Sequence, residues 1–350
     1  NYILIRIHIF CFITIFLLKN LICYSHSRNS NNDSIKNSLD EIVITATKTK
    51  RVLSSIPLNT AIIKKEEIEM TSATRLTDVI NEEIGLMTVS DFGGGEGIQI
   101  QGLDSEYTLI LIDNQPLIGR SAGTLDLNRI SVGNIKQIEI VKGASSSLYG
   151  NEALAGIINI ITDEPTIGFN TYISNSYKTH NTIDTNVFLG YKTQKFTSSF
   201  FFNTYSSDGY DLDETDELKT VNKFKNITGQ LKLDYNLSDN VKVGINYRHY
   251  NQVIDNIASN TLSGETFISE NNISLKFNHE IKKLNNEFEL YFSSFYGDEY
   301  LDNQNGDRFS ESYYDQILIR PEIKSIFKIS EKDNIIIGIG NRYESLDRTF

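Results

Sequence analysis

The sequence predicts an N-terminal α+β domain followed by a transmembrane antiparallel β-barrel. Residues 55–165 mix helical and strand periodicity, which is typical of an α+β domain. From about residue 167 the helical periodicity is absent, and segments of roughly ten residues alternate between apolar and polar side chains. Tilted strands of about that length match one crossing of a membrane. The chain therefore divides into two structural parts after an export and linker region.

Residues 1–25 predict a secretory signal peptide. The apolar stretch FCFITIFLL follows Arg6, and the residues after it are polar. A transmembrane anchor or a core helix is the alternative, but the apolar stretch is short for a membrane span. The chain's two cysteines, Cys11 and Cys23, both lie here, so no disulfide or thiolate site is expected downstream. The formal net charge of -12 argues against nucleic-acid binding.

Residues 26–48 predict a flexible tether that contains one strand. Residues 26–39 are rich in Asn and Ser and show no periodicity. The hexad EIVITA, Glu41–Ala46, is prone to form a strand and has polar neighbours. It is either an edge strand of the next domain or a docking strand that pairs with the sheet edge of a partner protein.

Residues 49–165 predict the α+β domain. Leu76, Val79, Ile80 and Ile84 recur at helical spacing and predict one helix over 73–84, with Thr71 or Ser72 as its N-cap. Asp113-Asn114 predicts the turn of a hairpin. The expected strands are Thr60–Ile63, Met87–Val89, Ile98–Gln101, Thr108–Ile112, Gln115–Ile118, Ile135–Val141 and Gly156–Thr162.

Residues 166–350 predict part of the barrel. The connectors alternate between short ones and long ones, the latter at 206–224, 251–266 and 298–311, as expected for periplasmic turns and extracellular loops. Transporter barrels close with about 22 strands, so nine strands indicate an N-terminal fragment with more strands after Phe350. The nine segments are 169–178, 183–192, 195–205, 225–236, 240–250, 267–279, 285–297, 312–329 and 334–343.

Three motifs closely resemble the plug domain of TonB-dependent outer-membrane receptors. They are IQIQGLDSEYTLILIDNQPLIGR (98–120), LDLNRISVGNIKQIEIVKG (125–143) and SSSLYGNEALAGIINIIT (145–162). Three positions depart from the family pattern: Gln101 stands in place of arginine, Asn114 in place of glycine, and Ala144 in place of proline. The first of these departures bears on a polar contact between plug and barrel, and none changes the predicted fold.

The resemblance implies a monomeric receptor in the outer membrane of a Gram-negative-type bacterium, in contact with outer-membrane lipid. It would bind a scarce small-molecule nutrient and import it with energy from TonB. The implied cargo is an iron chelate such as a ferric siderophore, with cobalamin or haem as the alternative. The implied TonB box, where TonB docks, consists of Glu41, Ile42, Val43, Ile44, Thr45 and Ala46.

By position, the resemblance places substrate contacts at two plug apices. These are Gly94, Gly95 and Glu96 in one loop and Leu117, Ile118, Gly119, Arg120 and Ser121 in the other. The Arg120 fork suits an anionic ligand, and a pairing with a carboxylate on the barrel wall is an equal alternative.

No cofactor is required by this reading, but one loop offers a calcium site. The loop DGYDLDETDE (208–217) holds six carboxylates, and Asp208, Asp211, Asp213 and Asp216 are the candidate ligands. A solvated, charge-repelling loop is the alternative. The predicted plug contains no histidine for a haem, and no nucleophile–base set can be assembled, so we expect no enzyme. A secreted β-rich adhesin or binding module and an exported hydrolase are the other classes, and neither explains the three motifs.

Overall fold

The computed structural model describes residues 42–43, 45, 48, 51–53, 56, 58–90, 95–121, 123–143, 149–213, 215, 219–259, 261–330 and 333–349. The predicted signal peptide and most of the predicted tether lie outside the described residues. In the described part, an N-terminal domain precedes a long antiparallel sheet, which we call the barrel sheet.

The N-terminal domain contains nine strands, two α-helices and three short 3₁₀ turns among the described residues. The strands are β1 (Ile42–Val43), β2 (Arg51–Val52), β3 (Asn59–Lys64), β4 (Leu86–Ser90), β5 (Glu96–Ile100), β6 (Thr108–Ile112), β7 (Gln115–Pro116), β8 (Ile135–Lys142) and β9 (Gly156–Thr162). The helices are α1 (Lys65–Thr71) and α2 (Leu76–Ile80), and the 3₁₀ turns are Ser105–Tyr107, Leu127–Arg129 and Asn151–Ala153.

A five-stranded sheet in the order β3-β8-β9-β6-β7 forms the centre of this domain. Strands β6 and β9 run parallel, and the other neighbours are antiparallel. Residues alternate between the two faces of the sheet along each strand. Each face carries a cluster of buried apolar side chains. Ile138, Ile140, Ile158 and Ile160 face the larger core. The opposite face, which we call the second face, carries a smaller cluster that consists of Val43, Leu109, Leu111, Val141, Ala153 and Ile157.

The helix predicted over 73–84 is present but shorter, as α2. A further helix, α1, precedes it and ends where Ser72 adopts a left-handed conformation (φ 55°). The Asp78 carboxylate then accepts from the main-chain N–H groups of Thr74 and Arg75 at 2.9 and 3.0 Å and starts α2. Leu76, Val79 and Ile80 are buried as predicted, whereas Ile84 lies beyond the helix and is 87% exposed. Among the described residues, no helix is long and apolar enough to span a membrane.

The barrel sheet has nine strand positions in the described part of the chain. Strands β18 and β19 both pair with β17 and are one strand position, interrupted opposite Arg320 and Pro321. Proline has no N–H to continue the ladder there. The strands are β10 (Gly168–Lys178), β11 (Thr182–Lys192), β12 (Phe196–Ser207), β13 (Lys223–Ser238), β14 (Val241–Ser259), β15 (Leu262–Ile281), β16 (Leu284–Asn303), β17 (Arg308–Lys328), β18 (Asn334–Gly340) and β19 (Tyr343–Thr349).

Two of the three long connectors predicted in this sheet are wrong. The connector over 208–222 is long, but 251–266 and 298–311 are mostly strand, with turns only after Ser259 and Asn303. Ladder pairs such as Asp255 with Glu265 and Glu299 with Ser312 continue through these segments. Apolar and polar residues do not alternate regularly in these segments, so the pattern from which strands were predicted is absent although the hydrogen bonds persist.

The two faces of the barrel sheet have opposite polarity. The face towards the N-terminal domain buries polar side chains, including Asn186, Asn203, Gln230, Arg248 and Asn272. The other face exposes apolar side chains, among them Leu231, Ile245, Leu275, Phe277 and Phe288. A sheet with a polar, covered inner face and an apolar, exposed outer face fits a barrel wall in lipid. The fold class predicted from the sequence is thus confirmed.

Candidate functional site

The predicted docking strand lies on the second face of the central sheet. Ile42 and Val43 pair with Val52 and Arg51, and Val43 is fully buried in the apolar cluster of that face. Glu41, Ile44 and Ala46 lie outside the described residues. The segment therefore covers apolar surface of the domain, in addition to pairing at an edge.

Thr45 is the most tightly bonded residue of this segment. Its side chain and backbone are fully buried, and its N–H and Oγ1 both donate to the Glu139 carboxylate, at 2.8 and 2.5 Å. Asn159 Nδ2 donates to Thr45 Oγ1 at 2.8 Å, and the Tyr149 hydroxyl donates to the Thr45 carbonyl at 2.9 Å. Burial, followed by the charge of Glu139, raises the pKa of Tyr149, so this phenol keeps its proton and remains a donor.

A row of buried ion pairs joins the N-terminal domain to the barrel sheet. Arg75 Nη2 lies 2.7 Å from the Asp184 carboxylate on β11. Arg129 pairs with Glu270 on β15, which also lies 3.3 Å from Arg248. All these side chains are at most 7% exposed. We call these contacts, together with the pair described next, the seam.

The seam holds its charges by pairing them. Burial alone would disfavour the charged guanidinium, but Glu270 holds the pKa of Arg129 above its usual value. Burial likewise opposes ionisation of Asp113, yet Lys232 on β13, 2.7 Å away, holds the pKa of that carboxyl below its usual value. Each charged side chain of the seam thus has an opposite charge within contact distance.

Two predicted apex residues are buried rather than open to a ligand. Leu117 belongs to the core of the N-terminal domain. Ile118 packs against Tyr291, Phe295 and Leu318 of the barrel sheet. Leu117 and Ile118 are thus buried in this conformation, and a substrate role for them stays a prediction.

Neither alternative predicted for Arg120 describes its contacts. Its guanidinium donates to the main-chain carbonyls of Ser105, Gly123 and Thr108 at 3.0, 3.1 and 2.7 Å. Burial lowers the pKa of Arg120. The side chain thus braces the loop from inside. Ser121 closes the loop by two main-chain hydrogen bonds with Thr124.

The remaining apex residues line two loops held by the domain. The Gly119 N–H donates to Gln316 of β17 at 2.9 Å. The Glu96 N–H donates to Asp126 at 3.1 Å, and an added Cβ on Gly95 would lie 2.8 Å from the Asp126 Cβ. Gly94 lies outside the described residues. A substrate role for Gly95, Glu96, Gly119, Arg120 and Ser121 stays a prediction.

The acidic loop does not gather its carboxylates in the described residues. Asp208 accepts from Asn181, Asp211 pairs with Lys219, and Asp213 accepts from Thr215. Within the described part of the chain, no three histidine, cysteine or acidic side chains meet in a geometry for a metal ion. Asp216 lies outside the described residues, so calcium binding stays a prediction.

Sequence comparison identifies the N-terminal domain. Residues 52–157 match the family described as the TonB-dependent Receptor Plug Domain. This part of the chain is a TonB-dependent receptor plug domain. Members of this family are outer-membrane β-barrel proteins, which confirms the predicted location, and the relatives that match are named as transporters and receptors, not enzymes. The seam therefore joins plug to barrel wall.

The curated relatives match about a third of this chain, and the solved structures match most of it. The vitamin B12 transporter BtuB of Vibrio vulnificus is 37% identical over 125 residues, which is 35% of this chain and 20% of that protein. A variant of the ferric enterobactin receptor PfeA of Pseudomonas aeruginosa has a TM-score of 0.69 at 16% identity, over 88% of this chain and 51% of that one. The siderophore receptor PirA of Acinetobacter baumannii has a TM-score of 0.66 at 16% identity, over 83% of this chain and 48% of that one. The solved structures support the fold, and this chain spans about half of each.

The seam was not predicted from the sequence. Its partners are far apart in the chain, as with Arg129 and Glu270, which are 141 residues apart. Asn159 did carry a local signal, because it stands inside the otherwise apolar strand β9, and Glu139 lies between Ile138 and Ile140 on β8. A polar residue in such a position needs a buried partner.

Proposed function

We propose that this receptor imports a scarce nutrient complex through the outer membrane with energy transmitted by TonB. The observation that carries the proposal is the plug domain bonded to the polar inner face of a barrel wall along the seam. A barrel filled in this way does not conduct solutes passively, so passage of a cargo requires the plug to move. That requirement favours an energised importer over an adhesin.

The docking segment supplies the point at which force would act. TonB would add a strand to residues 41–46, a mode of binding in which main-chain hydrogen bonds supply the affinity. In the conformation described, Val43 and Thr45 are buried on the plug. TonB binding at these residues thus requires the segment to leave the second face first.

Two cargo classes have support. A ferric siderophore or other iron chelate is supported by the fold neighbours named as siderophore receptors. Cobalamin is supported by the vitamin B12 transporter that is 37% identical over 125 residues. We place the iron chelate first and cobalamin second, because the fold neighbours named as siderophore receptors cover most of this chain, the barrel sheet included.

Growth tests separate these cargoes. The full-length gene is deleted in its own host and restored on a plasmid, and growth is measured with single ferric siderophores or haem as iron source, or with cobalamin as the limiting vitamin. We expect restoration on one class only, and only when TonB is present. Growth that does not depend on TonB would contradict the energised mechanism.

The docking assignment has its own test. A receptor lacking residues 41–46 should reach the outer membrane and bind cargo but not support growth. The matched control removes six residues of the preceding polar segment, 30–35, and should grow normally. Full uptake after deletion of 41–46 would show that TonB docks elsewhere.

A further inference from the structure

A polar pair stands in the apolar second face of the plug sheet. Glu139 on β8 and Asn159 on β9 are directly opposite each other, and both are fully buried. Their neighbours on that face are apolar, including Leu111, Val141 and Ile157. A buried carboxylate is costly unless it is hydrogen-bonded, so its partners determine when this arrangement is stable.

Three hydrogen bonds join this pair to the docking segment, and Gln137 Nε2 on β8 also donates to Glu139 at 2.7 Å. Glu139 accepts both the N–H and the hydroxyl of Thr45, and Asn159 donates to the same hydroxyl. The Tyr149 hydroxyl donates a hydrogen bond to the Thr45 carbonyl. The Thr45 hydroxyl donates and accepts at once, which neither valine nor alanine can do at this position.

We propose that Glu139, Asn159 and Tyr149 form a latch that holds the docking segment closed on the plug through Thr45. The proposal rests on the proposed function only in naming this segment as the one TonB takes. In the closed state the segment shields Glu139. In the open state Thr45 withdraws, and Glu139 must be hydrated.

The latch is bonded to a turn that contacts the barrel wall. Asn159 and Asn114 exchange two hydrogen bonds, at 2.9 and 3.1 Å. Asn114 belongs to the turn between β6 and β7, where the next residue, Gln115, accepts from Arg320 of β17 at 2.8 Å. A shift of this turn would therefore pull on Asn159, one of the groups that hold Thr45.

One barrel strand contacts both the plug apex and the tether next to the latch. Alternate residues of β17 face the plug: Gln316 binds Gly119, Arg320 binds the turn, and Lys324 Nζ donates to the Lys48 carbonyl at 3.1 Å. Glu322, on the same row, lies 3.5 Å from Lys48 Nζ. The apex and the docking segment thus share one rigid element, which gives the latch a physical connection to the cargo side.

Cysteine labelling tests the latch without TonB or cargo. The full-length receptor carries Val43→Cys, and the rate of maleimide labelling is measured in outer-membrane vesicles. Val43 is fully buried, so the thiol reacts only when the segment opens. Glu139→Gln replaces two charge-assisted hydrogen bonds by neutral ones and should speed labelling about tenfold. Thr45→Val, which removes the hydroxyl but keeps a strand-forming side chain, should do the same.

Two further variants complete the series. Asn114→Gly tolerates the positive φ of 69° at that position and keeps the main-chain N–H that donates to Asn159, but it removes the side-chain oxygen that accepts from Asn159 Nδ2, and we expect labelling about threefold faster. Glu66→Gln changes an exposed carboxylate on α1 and is the matched control, with no expected change. Protease resistance of the plug shows that each variant is folded, and if Glu139→Gln does not fold, Thr45→Val decides.

The outcomes separate the latch from the import proposal. Unchanged labelling in Thr45→Val and Glu139→Gln would overturn the latch, even if deletion of 41–46 abolishes uptake. Faster labelling in both would support the latch, even if no tested cargo restores growth.

Discussion

Replacement of Arg129 by methionine should loosen the plug more than any change at an exposed ion pair. Methionine keeps much of the length of the side chain and removes the charge. Arg129 is 2% exposed and Glu270 is not exposed at all, so the substitution leaves a carboxylate in a site that water does not reach. It also removes the donors to the Gly119 and Ile118 carbonyls.

The size of the effect follows from what remains around Glu270. Removal of one partner from a buried ion pair costs about 3–5 kcal/mol. Glu270 keeps Arg248 at 3.3 Å and Asn272 at 2.7 Å, which places the expected loss at the lower end of that range. With a urea dependence of about 2 kcal/mol per molar, a loss of about 3 kcal/mol lowers the unfolding midpoint of the plug by about 1.5 M.

A buried cysteine reports that midpoint. Ala155 is 1% exposed, and Ala155→Cys is a small change whose thiol reacts only when the plug opens. Labelling of the full-length receptor across a urea series gives the midpoint with and without Arg129→Met. The control is Arg308→Met, because Arg308 is 41% exposed and pairs with Asp302 on the barrel, where exposed pairs contribute about 1 kcal/mol or less. A midpoint shift below about 0.3 M for Arg129→Met, equal to that of the control, would refute the assigned role of the seam.

Three other predictions use the same receptor. Gly119→Ala should cost the plug about 1–3 kcal/mol, because Gly119 has φ +81° and its Cβ would lie 2.2 Å from the Phe295 ring; Phe295→Ala should recover part of that loss in the urea assay, and no loss would contradict the contact. In the unaltered receptor, the lowered pKa of Asp113 adds stability that is complete above its unfolded pKa of about 3.9 and is lost as the pH falls through the folded pKa. Lys232→Met removes the paired charge, so that burial of Asp113 then raises its pKa. Between about pH 4 and 7 this variant should therefore lose stability as the pH rises. A variant with the original pH dependence would refute the pairing. Calorimetric titration with calcium should saturate a site that Asp213→Asn weakens. Absence of binding at about 1 mM calcium would exclude a site with the affinity of extracellular calcium-binding modules.

Local features of the fold could be predicted from the sequence because each depends on neighbouring residues. Asp113 and Asn114 both adopt positive φ, at 51° and 69°, as the predicted hairpin turn requires. Strand β9 has the predicted bounds, Gly156–Thr162. The helix over 73–84 was predicted too long because Ile84 falls on the same helical spacing as Leu76, Val79 and Ile80, although it lies beyond the end of α2 and is exposed.

The site was less predictable because its contacts are between distant parts of the chain. Arg120 and Arg129 lie nine residues apart in one loop region, and the sequence favoured the first as a functional cation. The structure uses Arg120 to brace the loop and Arg129 to reach the barrel. Only the position of Glu270, on a strand formed much later in the chain, distinguishes the two.

The free energy that holds the docking segment on the plug is similar to the free energy that strand addition by a partner can supply. Burial of Val43 contributes about 1.5–3 kcal/mol, and the four hydrogen bonds of Thr45 contribute about 1 kcal/mol each. A partner strand along six residues offers main-chain hydrogen bonds of similar total strength. Because the two states are then nearly balanced, small changes in the turn that holds Asn159 are sufficient to decide between them. The polar seam has the complementary property: its buried pairs are costly to break singly, so the plug stays in place while the segment opens.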